Sequence, residues 1–384
     1  MKKTLSKMDK PLLFFTILYS ILGLVMILSS SSVSAVLRYG VSTYYFFIRQ
    51  LLFIIAGFVA GIIILKLPTS RYKLFTPILV IGILASLAGL FVYGQISNGA
   101  QSWYSLGFFN LQPTEFAKSI MIIYMAVFYS AQLKKKNQNL YTNLIPIVVG
   151  FIIFILVAMQ PDFGGAAIIA GIVFLIFMIV PIDKTNFTKL LKFIAVAFII
   201  GIVVFLNSGA DLFNSRQLQR FKYKEPCLRY QEDTGYQVCN GFIAMHNGGL
   251  FGVGLGNSTQ KYLYLPEAHT DFIFAIVVEE LGLIVGVLVI IGYIFMLYRI
   301  LKIAKNSPTL RGSILAYGTF ALILLHLLIN FMGILAVIPL TGVPVPLLSY
   351  GGSFTINILA MLFVVQRVAI ENNIAKSKQE MALK

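Results

Sequence analysis

Ten apolar stretches divide this chain, and they restrict its fold more than any motif does. They lie at roughly 12–32, 46–65, 75–95, 115–131, 144–160, 163–180, 193–207, 272–298, 313–335 and 353–366. A bilayer asks for about 20 consecutive apolar residues per helix, which a water-soluble core does not. Charged side chains make up only 11% of the sequence, against about 25% in a soluble domain. A soluble enzyme, a disordered chain and a small disulfide scaffold are thereby excluded. The expectation is an all-α polytopic membrane protein of about ten transmembrane helices, forming a single membrane domain over 1–384. The fourth, seventh and tenth stretches are short, so they are expected to tilt, break or re-enter.

A net charge of +16 would suit a nucleic-acid partner only if the basic residues shared one face. They do not. With the N-terminus inside, 21 of the 30 Lys and Arg fall on the cytoplasmic side. That is the positive-inside pattern, and it places both termini in the cytoplasm, leaving no nucleic-acid role. Val33-Ser34-Ala35 follows an apolar run that is too long for a signal-peptide core, so the first stretch is read as an uncleaved span.

Three outer segments depart from lipid-facing helix. One, about 96–114, holds the only Trp, Trp103; another, about 336–352, is rich in Pro and Gly. The large extracellular loop, about 208–271, lies between spans seven and eight and carries both cysteines, Cys227 and Cys239. An oxidising exterior permits them to pair, which would stabilise the fold by about 3 kcal/mol in the chain-entropy view. The alternative is two free thiols. No Cys/His spacing suggests a metal site, and the three histidines are scattered.

Asp271 stands where a polar loop becomes an apolar helix. It reads equally as a helix cap and as a half-desolvated general base at the membrane boundary. Glu115 and Lys118 are spaced i,i+3 at the start of the fourth span, so they can face one another, as an entry ion pair or as the wall of a site. Arg49 and Asp162 sit at outer helix ends, as interfacial anchors or as site residues. Arg216 and Arg220, one helical turn apart in a basic stretch, suit an anionic ligand or a solvated loop. Glu279 and Glu280, deeper in the eighth span, read as structural pairs. The glycine-rich run Gly248–Gly256 lacks the context of a phosphate loop and more plausibly packs closely or bends into the membrane.

Several stretches together carry a resemblance. They are Asn98-Gly99-Ala100 with Trp103, Gln112-Pro113-Thr114-Glu115-Phe116-Ala117-Lys118, Gln160-Pro161-Asp162-Phe163-Gly164, and Tyr236-Gln237. To these are added the run from Gly248 through Glu280, and Thr341-Gly342-Val343-Pro344 with Ser349-Tyr350-Gly351-Gly352-Ser353. The chain resembles the SEDS membrane glycosyltransferases (shape, elongation, division and sporulation proteins), within them the FtsW division type more than the RodA type. Three positions depart from the pattern: Ser102, where an Arg often stands beside the Trp; Arg216, which does not fall clearly in register with the family's paired arginines; and Phe354, where a small residue is commoner.

The resemblance implies an enzyme that polymerises lipid II into glycan strands at the outer face of the bacterial cytoplasmic membrane. Asp271 matches the essential aspartate, with the implied role of general base. Glu115 and Lys118 match cavity positions, with Arg49, Asp162, Arg216 and Arg220 as further substrate-binding candidates. A class B penicillin-binding protein (a transpeptidase) and other division or elongation proteins are the implied partners. A divalent metal, Mg or Mn, at the pyrophosphate is compatible with carboxylate ligands, although no spacing shows it. Two other functions stay open. A lipid II flippase would need polar residues through the membrane, of which Glu279, Glu280, His326 and Asn330 offer a few. A non-catalytic scaffold for a transpeptidase would leave the clustered outer carboxylates and cations without purpose.

Overall fold

A computed structural model describes residues 6–97, 100–107, 109–134, 140–182 and 223–382, with 188, 189 and 192 isolated between them. These residues form ten α-helices and one small sheet. The helices are α1 (Lys10–Leu37), α2 (Tyr45–Lys66), α3 (Tyr72–Tyr93), α4 (Pro113–Lys134), α5 (Leu140–Ala158), α6 (Phe163–Ile179), α7 (Asp233–Gly248), α8 (Ile273–Lys305), α9 (Leu310–Ile334) and α10 (Gly352–Ala382). Seven of them, α1, α2, α3, α5, α8, α9 and α10, are long and apolar enough to cross a membrane. The chain is a multi-pass membrane protein. Helix α4 covers the fourth apolar stretch, and α6 is a shorter apolar helix on the sixth. The seventh stretch, 193–207, and with it Arg216 and Arg220, lies outside the described residues.

Local chemistry accounts for the helix starts. Asp9 accepts from the Leu12 backbone N–H at 3.0 Å with Pro11 in the first turn, and Thr309 accepts from the Gly312 N–H at 3.1 Å. Outward faces are apolar: Ile78, Ile81 and Val92 are 71%, 68% and 72% exposed. Such exposure is unfavourable in water and favourable in lipid. Polar side chains are instead gathered inside, among them Gln50, Glu115, Lys118, Glu279, Glu280, His326 and Asn330. Helix α10 is the most enclosed span and packs chiefly on α2, with α9 and α4 on its other sides.

Three expectations need correcting. The fourth and tenth spans are unbroken helices, of 22 and 31 residues. The break falls in the eighth, where Gly282 has φ 88° and ψ 165° inside α8. Second, the segment near 96–114 holds strands β1 (Gln95–Ser97), β2 (Ala100–Ser105) and β3 (Asn110–Leu111), paired antiparallel in that order. Third, the large loop contains a helix, α7. Cys227 and Cys239 are joined, tying the short Pro226–Arg229 turn to that helix.

The glycine-rich run explains the break in α8. A helix interrupted within lipid exposes backbone groups that need new partners. Here the Val253 and Gly254 N–H groups donate to the Glu279 and Glu280 carbonyls at 2.9 and 3.0 Å. In return the Leu283 N–H donates to the Gly249 carbonyl at 2.9 Å. A Cβ on Gly248 would stand 2.1 Å from the Val278 carbonyl oxygen, so only glycine permits the approach. The two buried glutamates then fasten the rest of the loop. Glu279 accepts from the Thr259 hydroxyl at 2.9 Å and from the Ser258 hydroxyl, while Glu280 pairs with buried Lys261 at 3.1 Å.

Helix alternation brings the segments 38–44, 94–97, 100–107, 109–112, 159–162, 249–272 and 335–351 to one end of the bundle. The opposite end is closed by ties between distant segments. Arg299 donates to Asp9, and Glu371 accepts from the Thr69 hydroxyl at 2.6 Å and from Arg367 at 3.0 Å.

Candidate active site

Where the segments meet, they enclose a cavity of about 250 Å³. Asp271, Glu115, Lys118 and Asp162 all line it, together with Glu267 and Thr270. Four sequence candidates from three separate parts of the chain are thus brought together. Arg49 is not among the lining residues; its guanidinium lies over the Tyr45 ring, 4.4 Å from the centroid, and bonds Tyr350, which does line the cavity.

Asp271 occupies the last turn before α8, and its segment is bracketed from two directions. Asn330 on α9 donates to the Asp271 carbonyl at 2.8 Å and to the Val343 carbonyl at 2.7 Å. The Ser349 hydroxyl donates to the Thr270 carbonyl at 2.7 Å, and the Tyr350 N–H donates to the His269 carbonyl at 3.0 Å. The Asp271 backbone and the two residues before it are held, so its approach to the cavity is fixed by backbone. Gly342 stands opposite with φ 73°, and a Cβ there would lie 3.2 Å from Asp271 Oδ2. His269 is buried behind this segment, outside the spanning helices. Burial pushes its imidazole down to about 4 against the opposing pull of the Glu267 carboxylate.

Across the cavity Lys118 Nζ donates to Glu115 Oε1 at 2.7 Å, both side chains being almost wholly buried. A buried ion pair contributes little net stability, because desolvation offsets the attraction. Its presence therefore calls for another reason than folding. Glu115 Oε2 is buried with no hydrogen-bond partner among the described residues. Asp162 has a structural task as well: Oδ1 accepts from the Gly165 N–H at 2.8 Å and caps α6.

Among the described residues no three His, Cys, Asp or Glu side chains gather to hold a metal. The carboxylates at the cavity fit that picture: Glu115 is paired with Lys118, Asp162 caps a helix, and Glu267 accepts from the Thr270 hydroxyl at 2.8 Å. The donor set does not fit a protein-held metal.

In the sequence His326 stands out only as one of three scattered histidines and as a polar group for a flippase path, not as a site residue. It is fully buried on α9, one turn before Asn330, with Nε2 3.2 Å from Lys118 Nζ. The signal was present: two polar residues spaced i,i+4 in an apolar span share a face. Glu267, which lines the cavity and has φ 55°, was also not singled out as a site residue.

The chain matches the cell cycle protein family of FtsW, RodA and SpoVE over residues 10–374. It belongs to that family. It is 37% identical over 390 aligned residues to the probable peptidoglycan glycosyltransferase FtsW of Bacillus subtilis (strain 168), covering 99% of this chain and 95% of that one. It is 33% identical over 352 residues to stage V sporulation protein E of the same organism, covering 91% and 93%. In fold it resembles a chain of a peptidoglycan synthase complex, with TM-score 0.74, 23% identity and coverage of 95% and 98%. The rod shape determining protein RodA of Thermus thermophilus gives TM-score 0.66 at 23% identity, covering 94% and 96%. Membership of the FtsW, RodA and SpoVE family agrees with the resemblance drawn from the sequence motifs.

Proposed function

We propose that the protein is a peptidoglycan glycosyltransferase that polymerises lipid II at the outer face of the cytoplasmic membrane, in cell division, with both termini in the cytoplasm. The observation that carries this reading is a single cavity shared by the backbone-fixed Asp271 and the buried Glu115–Lys118 pair. The FtsW relatives support the reaction class and the division role.

In this reading Asp271 removes the proton from the acceptor sugar hydroxyl. The oxygen attacks the anomeric carbon of the donor, the bond to pyrophosphate breaks, and undecaprenyl pyrophosphate leaves. One carboxylate acting as base suits inversion; a retaining enzyme would place a second one about 5 Å away as its partner. Lys118 faces the phosphates as a fixed cation, and Arg216 and Arg220 are further cations for the same group. A divalent ion taking part would arrive on the substrate's own oxygens, and no step is assigned to it. A class B penicillin-binding protein is the partner that crosslinks the product.

The test is glycan synthesis from labelled lipid II by purified protein with that partner, comparing wild type and Asp271→Asn. Loss of a general base should slow the reaction about 10²- to 10⁴-fold. Equal chain formation by the two would overturn the role of Asp271. Translocation of lipid II across liposomes by the Asn variant, with no polymer from wild type, would support a flippase instead.

A further inference from the structure

We infer that His326 is a positioning residue that holds the Lys118 ammonium toward the cavity. The inference rests on the reading of Lys118 as the cation facing the donor pyrophosphate. His326 does not line the cavity, yet it touches three residues that do. Its Nδ1 lies 3.3 Å from the Pro344 carbonyl oxygen, its Nε2 lies 3.2 Å from Lys118 Nζ, and its ring sits 4.8 Å from that of Phe354.

The tautomer follows from what each partner can do. A carbonyl oxygen only accepts, so Nδ1 carries the proton and donates to Pro344. Nε2 then presents a lone pair, and an ammonium can only donate to it. Lys118 thus spends one N–H on Glu115 Oε1 and one on His326 Nε2. The third remains for the cavity that Lys118 lines. A flexible four-carbon side chain is in this way held as a fixed donor, with two acceptors on the protein side and room for one on the ligand side. Pro344 and Phe354 are themselves cavity walls, so the same imidazole sets the wall and the cation together.

Two substitutions separate this role from packing. His326→Phe keeps a ring against Phe354 and removes both hydrogen bonds. His326→Gln gives up the ring but can donate to Pro344 and accept from Lys118. The measurement is lipid II polymerisation with the transpeptidase partner and its inhibition by inorganic pyrophosphate, on protein shown to be folded by its melting curve in detergent. Loss of a hydrogen bond to a charged group corresponds to about a 10- to 100-fold change. His326→Phe is expected to lower kcat/KM and weaken pyrophosphate inhibition by that factor, and His326→Gln to recover most of both. A packing role predicts the reverse order, and that order, or a Phe variant equal to wild type, overturns the inference. If the Phe variant does not fold, His326→Met removes the same bonds with a pliable side chain and is read in its place. Lys118→Met separates the two levels. If it leaves pyrophosphate inhibition unchanged, or if wild type is not inhibited at all, the reading of Lys118 fails and takes the inference with it. If it weakens inhibition while His326→Phe does not, only the inference fails.

Discussion

Gly342 leaves Asp271 very little room. With φ 73° and an added Cβ placed 3.2 Å from Asp271 Oδ2, any side chain there strains the backbone and presses on the carboxylate. Gly342→Ala should therefore reduce polymerisation by about tenfold or more while lowering stability by only about 1–3 kcal/mol; a variant with full activity would show that Asp271 is not confined from this side. His269 gives a second residue-level expectation. Its folded value of about 4 lies below the ordinary 6.5, so the unfolded chain takes up a proton first as pH falls. Stability is intact above about pH 6.5, declines toward pH 4, and levels off below it, a loss of about 3 kcal/mol at most. Melting temperatures in detergent across that range should slope downward on the acid side, with a shallower slope in His269→Gln. The residues that the sequence made conspicuous, Asp271, Glu115 and Lys118, were polar groups at the ends of apolar runs. His326 escaped because its partners are remote in sequence: Lys118 lies 208 residues away, and no local pattern connects them.

At the scale of elements, α8 was legible as a span but not as a broken one. Up to Tyr298 its composition is continuously apolar apart from Glu279 and Glu280, and Gly282, one of three glycines in the helix, is common enough in membrane helices to pass without notice. The break shows only when the loop of 249–261 is folded against it, since that loop supplies the backbone partners that the helix has lost. The glycines of the run were correctly read as allowing close approach, while the element they approach was not foreseen. Gly282 adopts φ 88° and ψ 165°, a region open to glycine, and an added Cβ would lie 2.3 Å from the Leu250 carbonyl oxygen. Gly282→Ala should destabilise the protein by about 3 kcal/mol, and hydrogen exchange should rise first at the Val253 and Gly254 amides. An unchanged melt with unchanged protection would mean that the loop does not depend on the break. Strands β1 to β3 were missed for a different reason. They are too short for an alternating pattern to rise above the noise of a turn-rich segment.

The whole molecule presents two unlike ends. One collects the segments that build the cavity; the other is closed by Asp9–Arg299 and by Glu371 with Thr69 and Arg367. The excess of basic residues belongs to the second end, which the positive-inside pattern assigns to the cytoplasm. The proposed use of a lipid-linked donor outside depends on that orientation, which can be tested apart from any activity. Ser42 and Gln379 are exposed and lie at opposite ends of the bundle. Since both native cysteines are joined, Ser42→Cys and Gln379→Cys each introduce one new thiol. A membrane-impermeant maleimide applied to intact cells, with the outer layers made permeable where present, should label Ser42→Cys readily and Gln379→Cys only after lysis. The reverse pattern would put the cavity on the cytoplasmic side, where the same Asp271 could not extend a glycan outside the membrane. Labelling of both before lysis would point to damaged cells, which a cytoplasmic control protein carrying a free cysteine identifies.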